Sequence, residues 1–284
     1  MKTHPDTICT HNQISSLKLL MGAGLNSADI SKYDEQFLNK TLQKRFLEIY
    51  CTNADDYLEV IKHNTEEVGF FLNSLQVGYT EFFRNSLTFS VLEQIVLPAL
   101  IQKKKDSKRK EIRIWSSACA SGQESYSLAM LLEELKTGNS EKFSYRIFAT
   151  DQNETLVNEA RKGDYAESTL NNLNLKRVNH WFTKKGDTYF VKQGLKNNVD
   201  FSVFDLFSGQ FSCPPASIFG EFDIVVCANL LFYYKSEFRQ AILEKTGNCL
   251  AAGGYLVTGE TERQILIDHN YAEVFPQSAI FRKR

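Results

Sequence analysis

Several things are missing from this chain, and each absence narrows its possible work. It has almost no net charge: 33 Lys and Arg stand against 34 Asp and Glu, a formal balance of -1. No global field therefore draws it to nucleic acid or to an anionic membrane, and a partner must be met through a local patch. No apolar run is long enough to span a bilayer, so no membrane insertion is expected. The first residues, MKTHPDTICTHNQ, lack the apolar stretch of a secretory signal. The six cysteines, Cys9, Cys51, Cys119, Cys213, Cys227 and Cys249, form no C-x-x-C pair, which speaks against a zinc knuckle or a redox motif. Reduced thiols in a cytoplasmic protein are expected. There is no internal repeat, no low-complexity tract, no G-x-G-x-x-G and no P-loop lysine, so a loop that cradles phosphates is not supported. What is present is ordinary globular material. The 284 residues are 43% hydrophobic and 24% charged, enough for one large or two small domains with a real core.

Up to about Leu75 the pattern is helical. Ile14, Leu17, Leu20 and Met21 recur at helical spacing before Gly24, and Tyr33, Phe37, Leu38, Leu42 and Phe46 do so in a second helix. Thr52-Asn53 offers an N-cap for a third helix carrying Tyr57, Leu58 and Ile61 on one face, and Thr65 one for a fourth, with Glu66 and Glu67 in its first turn. Lys40, Lys44 and Arg45 on the second helix read either as a solvated face or as a docking surface for an acidic helical partner. No strand is expected before residue 110.

From residue 111 strands and helices alternate. Strands are expected at 112–116, 145–150, 222–227 and 255–258. Helices are expected at 123–135, 153–162 (closed by Gly163) and 236–250, with Gly253-Gly254 as a turn. Such alternation implies right-handed crossovers and a mainly parallel sheet. Residues 164–204 interrupt the rhythm, and short strands at 187–192 and 200–204 suggest an inserted antiparallel unit. The basic run KKKDSKRK at 103–110 reads as a solvated connector.

Ligands of an open parallel sheet sit beyond the carboxyl ends of its strands. Three such ends carry suitable residues. The small side chains of Ser116–Gly122 let a ligand approach the backbone, and Glu124 follows at a helix start; Ser121 and Glu124 alone would also fit a capping box. Asp151, just past its strand, suits a pair of ribose hydroxyls, or else a helix cap. Asn229 follows the third strand, ahead of Phe232, Tyr233 and Tyr234, as a pocket floor or simply a turn with core aromatics. Outside the sheet, YTEFFRN sets Arg84 beside two phenylalanines, an arrangement that snorkelling alone would explain.

In combination and order these segments resemble one family. YTEFFRN, IWSSACASGQESYSLAMLLEEL, FATDQNETLVNEARKGDY and FDIVVCANLLFYY look like the signature blocks of the chemotaxis receptor methyltransferases, the CheR family, and KYDEQFLNKTLQKRF is similar to that family's basic second helix. The resemblance covers roughly residues 14–284. It implies an α/β protein: a small all-helical N-terminal domain (1–76), a linker and connecting helix (77–110), and a Rossmann-like methyltransferase domain (111–284) with an inserted antiparallel β-subdomain at about 164–204. It implies S-adenosylmethionine as cofactor, no metal, and glutamate methyl esters formed on a methyl-accepting chemoreceptor, which the β-subdomain would contact. A monomer is expected.

The resemblance also assigns residues. Thr80 matches a cofactor-contacting Thr and Arg84 the catalytic, cofactor-side Arg. Glu124 and Asp151 match the acidic cofactor ligands. Asp205 and Leu206 stand where the family has Asn-Leu near the adenine. Asn229 and Tyr233 match the Asn and Tyr of R-N-V-x-I-Y-F. Three departures stand out: Ala228 in place of Arg, Asp205 in place of Asn, and Ser125 in place of Pro. Ala228 and Asp205 motivate one alternative, a catalytically impaired module that only binds the cofactor or its product; Ser125 is the milder change, and a methyltransferase for another signalling protein stands as a separate alternative. A nicotinamide-dependent oxidoreductase is disfavoured by the lack of G-x-G-x-x-G. A glutamate side chain, with a pKa of roughly 4.3, is already ionised at neutral pH and needs no general base. This agrees with the position of all five histidines (His4, His11, His63, His180, His269) outside these blocks.

Overall fold

The computed structural model describes residues 11–22, 29–51, 53–105, 107, 109–138, 143–217 and 220–283. The chain divides into two compact units: Met1–Val77 with Phe232–Arg239, and Gly78–Leu231 with Gln240–Arg284.

Among the described residues the first unit holds four helices, α1 (His11–Gly22), α2 (Glu35–Glu48), α3 (Ala54–His63) and α4 (Thr65–Ser74). Leu17, Met21, Leu38, Leu42, Tyr57, Ile61 and Phe71 make its core. Three of these helices are started by a side-chain cap: Asp34 for α2, Asn53 for α3 and Asn64 for α4. Such caps are worth about 1 kcal/mol each. Asn64, not Thr65, caps the fourth helix, because its extended backbone lets the amide oxygen reach the Glu66 and Glu67 N–H groups. Tyr33 precedes α2 and stacks on Tyr234 at 5.2 Å. Gly24 and Thr52 lie outside the described residues. Within the basic trio of α2, Lys40 and Lys44 are exposed, whereas Arg45 turns inward. Its Nε donates to Glu67 at 2.9 Å, and the Tyr57 hydroxyl donates to the same carboxyl at 2.8 Å. That pairing raises the Arg45 pKa and holds its charge in place, so Arg45 is structural rather than part of a solvated face.

The second unit begins with α5 (Ser86–Val91), a π-turn (Leu92–Val96) and α6 (Leu97–Lys105). Strands β1 (Glu111–Ser116), β2 (Ser144–Asp151), β6 (Val199–Val203), β7 (Phe222–Val226) and β8 (Leu250–Val257) run parallel in the order β6-β2-β1-β7-β8. Beyond them β10 (Ile280–Lys283) runs against β8, and β9 (Tyr271–Glu273) against β10. Every residue of β7 is buried, as a central parallel strand covered on both faces requires. The crossover helices are α7 (Gln123–Gly138), α8 (Glu154–Lys162) and α11 (Ser236–Asn248); α12 (Arg263–Asp268) follows β8. Because β1 connects outward to β2 on one side while β7 lies on the other, the order reverses between β1 and β7, where a ligand crevice opens in such sheets.

A separate three-stranded antiparallel sheet is formed by β3 (Asp164–Ala166), β5 (Thr188–Val191) and β4 (Phe182–Lys185), with α9 (Leu175–Trp181) and α10 (Gln193–Lys196) beside it in sequence. The strand read at 200–204 as part of this insertion is instead β6. It pairs parallel with β2 from Ile147↔Val199 to Asp151↔Val203 and so belongs to the main sheet; its short alternating pattern suits an edge strand equally well. The glycine pair at 253–254 is not a turn before a strand but lies inside β8, where the pairing with β7 shifts register between Phe222 and Ile224. Gly253 has φ +71°, a conformation glycine adopts at such irregularities. The basic run at 103–110 is partly paired: Lys104 meets Asp223 at 2.9 Å and Arg109 meets Glu221 at 2.9 Å. Asp106 and Lys108 lie outside the described residues.

Candidate active site

The turn from β1 to α7 is held by its neighbours. Ser117 N–H donates to Val226 O and Cys119 N–H to Thr150 O, each at 2.9 Å. These bonds stretch the turn across the ends of β1, β2 and β7. Ala120 sits at φ +46° and Gly122 at φ +95°. A side chain at 122 would place its Cβ 2.9 Å from Ala160 Cβ, so glycine lets the turn lie close against α8. The non-glycine left-handed residue Ala120 costs of order 1–3 kcal/mol, and its N–H is caught by the Asp151 carboxylate at 2.9 Å.

Asp151 accepts from Ala120 N–H with one oxygen and from Asn153 N–H with the other. It does not cap α8; Asn153 does, through Thr155 and Leu156. Burial pushes the Asp151 pKa up, against the pull of these backbone bonds. The carboxylate oxygens together offer about four lone-pair sites, and backbone N–H groups do not fill them all, so acceptor capacity stays available for a diol at the end of β2.

Glu124 makes no capping box with Ser121. Its carboxyl accepts from the Ser116 hydroxyl at 2.7 Å instead. Burial pushes its pKa up to about 7, with the Ser116 bond and the Arg84 charge pulling the other way. It lines a small cavity of about 20 Å³, together with Asn85, Thr88, Phe89 and Ala228. Ala228 thus leaves space in the pocket wall where the family pattern has an arginine. Thr88 Oγ1 and Ser125 Oγ are buried without a hydrogen-bond partner.

Arg84 is half-buried. Its Nη1 donates to Tyr79 O at 3.3 Å and its guanidinium lies 5.1 Å from the Tyr79 ring. It therefore does not snorkel over Phe82 and Phe83, which are buried. Phe83 holds φ +50°, an unusual state for a bulky residue. Its N–H donates to Ser127 Oγ at 3.1 Å, and the Arg177 guanidinium of α9 lies 4.3 Å from its ring. Thr80 is half-buried in the same segment.

Asn229 also sits at φ +58°. The turn that carries it is held by a residue with no place in the sequence reading, Glu262, which is fully buried. Glu262 accepts from Asn229 N–H (2.7 Å), Leu231 N–H (2.6 Å), Gly259 N–H (2.9 Å) and Thr258 Oγ1 (2.9 Å). Gly259 is required there, since a Cβ would lie 2.5 Å from Asn229 Nδ2. A glutamate three residues after the cap residue Gly259, in T-G-E-T-E after a strand, is the signal that would have found it.

The structure thus brings Glu124, Asp151, Asn229, Arg84 and Thr80 into the second unit, on segments at or leading to the carboxyl rim. Asp205 is exposed just past β6, accepting from Phe207 N–H at 2.8 Å, and Leu206 is buried beside it. Tyr233 belongs to the first unit, where its ring packs 4.7 Å from Phe37 and its carbonyl accepts from Asp34 N–H at 2.9 Å. No cluster of His, Cys, Asp and Glu suited to a metal occurs among the described residues, and no helix among them is long and apolar enough to cross a membrane.

The donors present suit S-adenosylmethionine. Carboxylates at the end of β2 and the start of α7 can meet ribose hydroxyls and an ammonium group, and a turn of small residues gives close access to the backbone between them. The family model described as CheR methyltransferase, SAM binding domain, matches residues 78–279. The chain is 32% identical over 213 residues to a chemotaxis protein methyltransferase of Borreliella burgdorferi, covering 74% of each chain. It is 34% identical over 195 residues to chemotaxis protein methyltransferase 1 of Pseudomonas aeruginosa, covering 67% of this chain and 68% of that one. To the chemotaxis protein methyltransferase of Escherichia coli it is 28% identical over 248 residues, covering 84% and 79%. On this likeness and on a site whose acidic rim fits the cofactor, the chain belongs to the CheR methyltransferase family and uses S-adenosylmethionine.

Proposed function

We propose that this enzyme forms methyl esters on glutamate side chains of a methyl-accepting chemoreceptor, working as a monomer in the cytoplasm. The observation that carries the reading is the gathering of Glu124, Asp151 and the Asn229 turn around the rim where β1, β2 and β7 end. Asp151 would hold the ribose hydroxyls and Glu124 the positively charged amino-acid end of the cofactor. Thr80, Asp205, Leu206 and Asn229 would complete the binding surface, with Leu206 toward the adenine.

When bound, S-adenosylmethionine supplies a methyl group on a positively charged sulfur, which an ionised glutamate (ordinary pKa about 4.3) accepts without a general base. The protein's task is then alignment and partial desolvation, which can be worth about 7–11 kcal/mol. Arg84 would fix a carboxylate by paired hydrogen bonds. It must position more than neutralise, because a tight ion pair would quench the nucleophile. Tyr233 enters on its place in the FDIVVCANLLFYY block, as the hydroxyl that orients the other carboxylate oxygen.

The test is incubation of the enzyme with methyl-labelled S-adenosylmethionine and a chemoreceptor signalling domain, followed by alkaline release of volatile methanol. Label released as methanol supports the reading. Label that stays on the protein after alkali shows a different acceptor. Ala228 in the wall of that small cavity, where the family pattern has an arginine, favours one second reading, a module that binds the cofactor product without transferring methyl. Calorimetric binding of S-adenosylhomocysteine with no ester formed would select it.

A further inference from the structure

The proposed reaction uses none of the cysteines, yet two of them meet. Cys213 lies on the connector between β6 and β7, and Cys249 lies between α11 and β8. Their sulfurs are 2.7 Å apart. That is well inside the roughly 3.5–4.0 Å at which carbon-sized non-bonded atoms rest, and a short step from the ~2.05 Å of a bonded pair.

The surroundings hold the two sulfurs face to face. Cys249 Sγ donates to Ser212 O at 3.1 Å, and Phe222 N–H donates to Cys249 O at 2.9 Å. Gly220, at φ +60°, leaves the needed space: a Cβ there would lie 2.8 Å from Cys213 Sγ and 3.5 Å from the Cys249 Cα. Lys245 donates to Ser208 O and so ties the same connector to α11. Access is unequal. Cys249 is 1% exposed while Cys213 is half-buried, and burial pushes the Cys249 thiol up. An oxidant therefore meets Cys213 first.

We propose that Cys213 and Cys249 form a reversible disulfide when the protein meets a peroxide. The Cys213 thiolate attacks hydrogen peroxide, breaking the O–O bond to give a sulfenic acid and hydroxide. The Cys249 sulfur then displaces hydroxide from the Cys213 sulfur, and the S–S bond forms. With the two thiol protons included, two thiols lose two electrons and one peroxide becomes two waters; a dithiol reverses the change. The bond closes the chain from the connector that opens with Asp205 and Leu206 to the end of α11. The proposal does not rest on the methyl acceptor.

The test uses the full chain, reduced and then freed of reductant. It is exposed to stoichiometric hydrogen peroxide, unfolded, and labelled with N-ethylmaleimide. Reduced protein takes up label at all six cysteines. The expected result is loss of label at Cys213 and Cys249 alone, with a cross-linked peptide pair that dithiothreitol abolishes. Cys213→Ser and Cys249→Ser should each lose the cross-link, with circular dichroism confirming that they fold. Full labelling after peroxide, or Cys213 carried to sulfinic acid with Cys249 still labelled, overturns the proposal in the unaltered protein.

Discussion

On the β1–β2 side of the rim, the small-residue turn and Asp151 hold each other: Ala120 N–H to Asp151, Cys119 N–H to Thr150 O, Ser116 to Glu124. On the β7–β8 side, the Asn229 turn cannot close on itself. Its N–H groups go to Glu262, 33 positions further along the chain. The first side spreads its support over many short bonds, several to backbone. The second concentrates it in one buried carboxyl with four donors. A rim built the first way tolerates the loss of one ligand, while a rim built the second way has a single point of failure.

The largest expected effect breaks that contrast at its narrowest point. Glu262→Ala removes the buried carboxyl that accepts from Asn229, Leu231 and Gly259 N–H, which should cost about 3–5 kcal/mol. Its melting temperature should fall by roughly 6–15 °C, and its affinity for S-adenosylhomocysteine should fall as well. A variant that melts with the parent would show that the Asn229 turn does not need its anchor.

Arg84→Ala comes next and acts on neither support. Turnover should drop at least about a hundredfold with the melting temperature unchanged, as read in the methanol-release assay. An unaltered rate would remove Arg84 from the reaction.

Asp151→Asn sharpens the β1–β2 side. One oxygen is kept for a backbone N–H, so the fold should survive while cofactor product binds about tenfold more weakly by calorimetry. A loss of stability as large as that of Glu262→Ala would mean the two sides are built alike after all.

The smallest effect is a pH slope. The folded Glu124 carboxyl keeps its proton up to about 7, against 4.5 for an unburied glutamate. The folded state therefore binds more protons between those values, and stability falls as pH rises through them. Glu124→Gln should remove about 1 kcal/mol of that slope, given the side chain's partial opening to the cavity. Denaturant melts at pH 5 and pH 8 that differ equally for variant and parent would show that Glu124 is not desolvated.

Much of the β1–β2 side was legible in the residues, because its signals are local. Small side chains after an apolar strand, Asp151 at a strand end and Gly163 behind a helix each act within a few positions. Glu262 was not legible as a ligand of the Asn229 turn, since its partner is remote in sequence and only β7–β8 pairing brings them together. The strand at 200–204 is legible in the residues, but the sheet it joins is not. Five residues carry no record of which neighbour they will pair with, and β2 took them. Arg45 likewise looked like one of three surface cations until Glu67, on another helix, claimed it.

By itself, then, the amino-acid order determined the periodicities and signature blocks that identify a methyltransferase, because each depends on interactions reaching no further than a turn or two. Tertiary structure alone decided which buried carboxyl anchors the Asn229 turn, which sheet receives β6 and which two of six cysteines face each other. Those choices depend on contacts between distant segments, and they are made only when the sheet assembles.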